Sequence, residues 1–182
     1  MSKNVLRMIR TPLSDSDLRK IIGQDLKIIL YRELSKISNL REMLSNERDC
    51  MVILYEEKEL SGHWTCLARE GDLFTFFDSY GLKPDAELNW LSFEKRRLLN
   101  EFIPYLTNLL KNENYIYNKT QFQQDESKVE TCGDHVCCFL YCFRNYGMNL
   151  ENYKEYMQYL KRILKQPYDC IAAEFVAEQL KL

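Results

Sequence analysis

Two histidines occur in the chain, and both stand close to glycine and cysteine. His63 lies in Ser61-Gly62-His63-Trp64-Thr65-Cys66, and His135 in Thr131-Cys132-Gly133-Asp134-His135. Imidazole changes charge near neutral pH, so any histidine chemistry must run through one of these two rings. An acid for His63 follows from hairpin spacing. The segments Trp64–Ala68 and Leu73–Phe77 flank Arg69-Glu70-Gly71-Asp72, a hairpin signal. A two-residue turn at Glu70-Gly71 sets Arg69 against Asp72 and, farther along the ladder, His63 against Asp78. Directly opposed residues share a face, with Cβ atoms about 5 Å apart. A carboxylate so placed accepts the Nδ1–H of the imidazole, fixes its tautomer and stabilises the imidazolium. A one-residue slip would send Asp78 to the wrong face.

The matching nucleophile is Cys132. It opens an apolar, cysteine-rich helical stretch and is followed by Gly133. A thiol at a helix N-terminus feels the dipole, and a neighbouring imidazolium adds to it; both favour the thiolate. Gly133 lets backbone approach a substrate carbonyl, and the Cys132 amide can serve an oxyanion hole. A second donor is available upstream from Gln121, Gln123 or Gln124. Each residue also has a purely structural use. His63 can sit in a strand, Asp78 can start a turn, and Cys137, Cys138 and Cys142 suit a core. The rival for cysteine and histidine is a metal. His135, Cys138 and Cys142 fall on one helical face, but there is no C-x-x-C pair, so no metal site is expected. The six glycines are scattered, which leaves no phosphate loop. Lys95-Arg96-Arg97 reads as the solvated face of a helix.

These residues need elements to carry them. Leu13–Ile22 reads as a short helix capped by Ser14 or Ser16 and stopped by Gly23. Leu26, Leu30, Leu34, Ile37 and Leu44 recur at helical steps, which reads as one longer helix or as two short ones broken around Ser35, Ser38 and Asn39. Cys50–Tyr55 is a continuous apolar run, a buried strand. The two hairpin strands follow, then a loop at Tyr80–Asp85. Phe93–Leu110 has a helical stripe, and Tyr115–Phe122 reads as a strand. Helices are expected at Cys132–Tyr146, about Leu150–Leu164 and Ile171–Leu180. Strands in the middle and helices on both flanks make the class α+β, a mixed central sheet flanked by helices. One domain over 1–182 is expected, with a helical part at about 13–48, a core at about 50–146 and terminal helices at about 150–181.

Composition narrows the classes. With 46% hydrophobic and 29% charged residues over 182, the chain suits a globular domain rather than a disordered one. A net charge of −2 disfavours nucleic acid as the main partner. The longest apolar run, Val136–Phe143, is far short of the roughly 20 residues that span a bilayer. No signal peptide opens the sequence, and seven cysteines cannot all pair, so a reducing compartment and no membrane partner are expected.

Together, Gly62-His63-Trp64, Phe77-Asp78-Ser79-Tyr80-Gly81, an upstream Gln and Cys132-Gly133 resemble the adenain-like and SUMO-protease-like cysteine peptidases. The likeness is greatest to the viral branch: capsid-maturation proteases of large DNA viruses, virophages and polinton-type elements. It runs from about Leu26 to Tyr146. The resemblance implies an adenain-like fold with Cys132 as nucleophile, His63 as general base, Asp78 as orienting acid and a Gln side chain as oxyanion donor. Gln123 fits the family's strand better than Gln124, and Asp125–Glu130 would bulge as a loop. Trp64 would wall a narrow substrate tunnel, and Gly133 would flank the oxyanion. The implied activity is an endopeptidase cleaving capsid or scaffold precursors at Gly-Gly or Gly-X-Gly sites. It would work as a monomer in the virion and host cytoplasm (the viral factory), not secreted. No cofactor is implied, and nucleic-acid activation is not expected of an acidic chain. The alternatives are a deubiquitinase or SUMO-protease-type isopeptidase, including a host-targeting effector. A non-enzymatic interaction or zinc-binding domain is the third.

Overall fold

The structure, a computed structural model, describes residues 3–181. In chain order the elements are α1 (Lys3–Met8), α2 (Asp15–Ile22), β1 (Lys27–Leu30), α3 (Leu40–Met43), β2 (Arg48–Lys58), β3 (Ser61–Glu70) and β4 (Leu73–Phe77). Then come α4 (Phe93–Leu98), α5 (Tyr105–Leu110), β5 (Asn114–Tyr117), α6 (Cys132–Tyr146), α7 (Leu150–Leu164) and α8 (Tyr168–Leu180). Short 3-10 turns cover Tyr31–Lys36 and Ala86–Trp90. The chain forms two compact units. A sheet unit takes Lys27–Asp78 and Leu82–Lys119; a helical unit takes the described residues up to Leu26, Ser79–Gly81, and those from Thr120 onward.

The sheet unit is built on five strands in the order β1-β2-β3-β4-β5. The two outer pairings, β1 with β2 and β4 with β5, are parallel, and the two inner ones are antiparallel. The class is therefore α+β with a mixed sheet, as expected. Period-two alternation places Met51, Ile53, Tyr55, Leu67, Phe74 and Phe76 in one apolar cluster. Tyr31, Leu34, Leu40, Leu44, Leu88, Leu106 and Leu110 complete it from the helices and 3-10 turns. Full burial of each aliphatic or Phe member is worth about 1.5–3 kcal/mol. Asp85, with left-handed backbone (φ 66°), ties the loop into this cluster. Its Oδ1 accepts the hydroxyls of Tyr31 (2.7 Å) and Tyr55 (3.1 Å), and its Oδ2 accepts Thr107 N–H (2.7 Å).

Three sequence expectations change here. The helical stripe from Leu26 is instead strand β1, a 3-10 turn and the four-residue α3. Apolar residues three and four apart also fit a strand that runs straight into a turn, so spacing alone could not separate them. The long helix at Phe93–Leu110 is broken between α4 and α5 by Asn100, at φ 57°, and by Pro104. The strand expected at Tyr115–Phe122 ends at Tyr117.

In the helical unit, α2 carries a capping box between Ser14 and Asp17. Arg144 of α6 holds Asp25 (2.5 Å) and the Ile22 carbonyl (3.1 Å). Phe122 packs against the rings of His135, Tyr153 and Tyr168, with centroids 5.0–6.0 Å away.

Candidate active site

In the sheet unit, His63 lies on β3 and pairs with Tyr55 of β2. The β3–β4 turn is Gly71-Asp72, with Glu70 paired to Leu73, rather than Glu70-Gly71. Gly71 has φ 57°, the left-handed backbone that glycine adopts without strain. His63 and Asp78 are therefore not directly opposed. The correction is two residues, so the parity of the faces is kept. Asp78 follows the last residue of β4 and reaches His63 diagonally, with Oδ1 2.7 Å from Nε2. Contact is through Nε2, not the expected Nδ1. Both residues are buried, at 4% and 0% exposure. The Asp78 carboxylate is itself fixed: Oδ2 accepts Leu82 N–H at 2.9 Å. Its backbone carbonyl accepts the Asn118 side-chain amide at 2.7 Å.

Trp64, next on β3, is buried and pairs with Leu54. The indole of Trp90 meets the His63 ring edge-on, with centroids 5.4 Å apart.

Glu87 was not singled out in the sequence. Its Oε1 is 3.7 Å from His63 Nε2, and neither carboxyl oxygen has a hydrogen-bond partner. Burial, and next the charge of Asp78, push its pKa well above the ordinary carboxylate range. Within Asp85-Ala86-Glu87-Leu88 nothing marks this glutamate as buried; a short acidic turn reads as solvated.

In the helical unit, Cys132 is the first residue of α6, and Thr131 and Gly133 beside it are buried. Gln123 is 2% exposed and doubly anchored. Its Oε1 accepts the Ser79 hydroxyl (2.7 Å), and its Nε2 donates to the Val129 carbonyl (3.1 Å). The backbone N–H groups of Phe122 and Gln123 both donate to Ser79 O. Gln124 and Gln121 are exposed. Asp125–Lys128 loop outward, and Val129 folds back into the interior.

Asp169 of α8, which no sequence feature marks, gathers this region. Oδ1 accepts the Thr131 hydroxyl (2.5 Å) and lies 3.1 Å from His135 Nε2; Oδ2 accepts Gln124 N–H (3.2 Å). One buried carboxylate thus grips the residue before Cys132 and the residue after Gln123. His135 is committed to it, and the Cys138 thiol is directed at the Ala172 carbonyl (3.8 Å). Burial raises the thiol pKa of Cys137 and Cys138 well above the ordinary value, and that of Cys142 to about 11.

No family model matches the chain. Among solved structures it is similar to the SUMO protease Ulp1 with its catalytic cysteine oxidised to a sulfinic acid. That pair is 15% identical with a TM-score of 0.43, covering 99% of this chain and 88% of the other. It is also similar to a de-sumoylating protease, 14% identical with a TM-score of 0.42, covering 100% and 87%. The chain belongs to the family of uncharacterized protein V9 of Sputnik virophage, with which it shares 34% identity over 127 residues, 68% of this chain and 72% of the relative.

Proposed function

We propose that the chain is a cysteine endopeptidase of virion maturation. Cys132 is its nucleophile, His63 its general base, Asp78 the orienting acid, and Gln123 with the Cys132 amide the oxyanion donors. The observation that carries this reading is the buried 2.7 Å contact of His63 Nε2 with Asp78 Oδ1. It holds the imidazole in the Nε2–H tautomer, so Nδ1 is the nitrogen that takes the thiol proton. The thiolate of Cys132 then attacks the scissile carbonyl carbon, and the oxyanion forms against two N–H donors. Gln123 satisfies the requirement for a fixed donor: Ser79 holds its oxygen, while the amide nitrogen has one N–H on Val129 and a second to offer. Collapse expels the amine, which takes the proton from His63, and leaves a thioester. Water, deprotonated by His63, cleaves the thioester to acid and free thiol.

The virophage relative supports a viral setting, and capsid or scaffold precursors with Gly-Gly or Gly-X-Gly sites are the substrates that go with it. Trp64 narrows the space beside the scissile bond to small residues. The working place is the virion and the host cytoplasm. The test is incubation of the purified chain with a Gly-Gly capsid peptide beside ubiquitin and SUMO precursors. Cleavage of the capsid peptide by wild type but not by Cys132→Ala supports the reading. Processing of a ubiquitin-like precursor alone replaces the substrate, and cleavage by the alanine variant removes the nucleophile.

A further inference from the structure

We infer that His63, Asp78 and Glu87 form a binding site for one divalent first-row transition-metal cation, and that its binding silences His63 as a base. The ligand atoms His63 Nε2, Asp78 Oδ1 and a Glu87 carboxylate oxygen lie within 4.8 Å of one another. Two of the separations are 2.7 and 3.7 Å. An ion with bonds of about 2.0–2.2 Å spaces adjacent ligands by about 3–3.5 Å, between those two values.

The second observation is Glu87 itself. It is 3% exposed, yet both its oxygens lack a hydrogen-bond partner. An ionised carboxylate in such a place needs a cation, and a protonated one leaves its O–H equally unmatched. A divalent ion answers the orphaned group and neutralises the two carboxylates together. One imidazole and two carboxylates, with no thiolate, suit Mn²⁺, Fe²⁺, Co²⁺ or Zn²⁺ rather than Cu⁺. The outer shell is present, since Leu82 N–H on Asp78 Oδ2 turns Oδ1 toward the site. The site borders a narrow cleft lined by His63, Glu87, Leu88 and Trp90.

The consequence for catalysis rests on the proposed peptidase reading. With the cation on Nε2, the proton of the neutral imidazole moves to Nδ1. The nitrogen that should accept the thiol proton is then already protonated, so the base is off until the ion leaves.

Mn²⁺ is the probe, because it favours carboxylate and imidazole over the seven cysteines. It is titrated into the full chain, followed by calorimetry and by the resonance signal of free Mn²⁺. Wild type and Cys132→Ala should each take up one ion. Glu87→Gln and Glu87→Leu, checked for native circular dichroism, should bind at least about tenfold more weakly. In wild type, peptide turnover should fall with the same midpoint and return on adding a chelator. No saturable binding, or equal binding by the Glu87 variants, overturns the site. Saturable binding together with no turnover of any substrate by wild type sinks the peptidase reading and leaves the metal site standing. Saturation of an active enzyme without inhibition overturns the silencing.

Discussion

His63 Nε2 and Asp78 Oδ1 meet at 2.7 Å although the ladder between their strands stops at Cys66–Phe77, before either residue. The contact therefore depends on where Asp78 is anchored, by Leu82 N–H and Asn118, rather than on cross-strand pairing. In the proposed mechanism Asp78 orients the ring without transferring a proton. His63→Ala should lower kcat/KM by at least about 10³-fold, and Asp78→Asn by a smaller factor, roughly 10²-fold. Steady-state kinetics on a Gly-Gly peptide compares them, and equal losses would give Asp78 a different role.

Cys132 should be alkylated ahead of the other six cysteines. Burial raises the thiol pKa of Cys137 and Cys138, and carries Cys142 to about 11, so these hold little thiolate at mildly acidic pH. Iodoacetamide under those conditions, followed by peptide mass mapping, should find the label on Cys132 first. A label spread over several cysteines would contradict activation.

Much of the fold was legible because its signals are local. The run Cys50–Tyr55 sits inside β2, and the spans of β4, α6 and α7 match the reading of the sequence. What failed did so for physical reasons. A turn at Glu70-Gly71 and one at Gly71-Asp72 use the same residues, and only the tertiary structure selects between them. The buried contact of His63 with Asp78 was foreshadowed by the spacing of the hairpin, which keeps both on one face even though the turn is shifted by one residue. Glu87 and Asp169 were not, because an acid in a turn or at a helix start has an ordinary solvated explanation. Only the folded chain reveals that both are buried.

Gly62, just before His63, should tolerate no side chain. It pairs with Glu56 where the β2–β3 register shifts. A Cβ there would meet Tyr55 O at 1.8 Å and Glu57 N at 2.8 Å. These are backbone atoms, so no rotamer change relieves the clash. Gly62→Ala should cost about 3 kcal/mol, the upper end of overpacking penalties, and should reduce turnover by displacing His63. Chemical denaturation measures the first effect; an unchanged midpoint would mean that the bulge is plastic.

Glu101 should make stability fall as pH rises. Burial is the main cause that lifts its pKa from 4.5 to about 7, and the nearby Glu56 charge adds to it. Between those values the native state keeps a proton that the unfolded chain has released. The stabilisation is complete below about pH 4.5 and is lost as pH climbs through about 7. Glu87, also raised, acts in the same direction. Glu101→Gln keeps an acceptor for Glu56 N–H, now 2.9 Å from Oε1, and removes the titration. Its melting temperature should decline less than that of wild type between about pH 5 and 8. Parallel profiles would place the titration elsewhere.

Asp169 should govern turnover without touching substrate. Its two oxygens hold Thr131, His135 and the Gln124 backbone, and so fix the residues on either side of the proposed oxyanion donors. Asparagine has one acceptor oxygen in place of two, so Asp169→Asn must release either the Thr131 side or the Gln124 side. A donor shifted by about 1 Å costs up to about 10²-fold in rate. The expected result is a kcat lower by 10- to 10²-fold with KM changed less than about twofold. A loss of stability alone would lower the active fraction, so the kinetics are normalised to Cys132 titrated with iodoacetamide. If the normalised kcat equals that of wild type, Asp169 is only a structural clamp. If KM rises in proportion instead, the carboxylate acts on substrate binding rather than on the oxyanion.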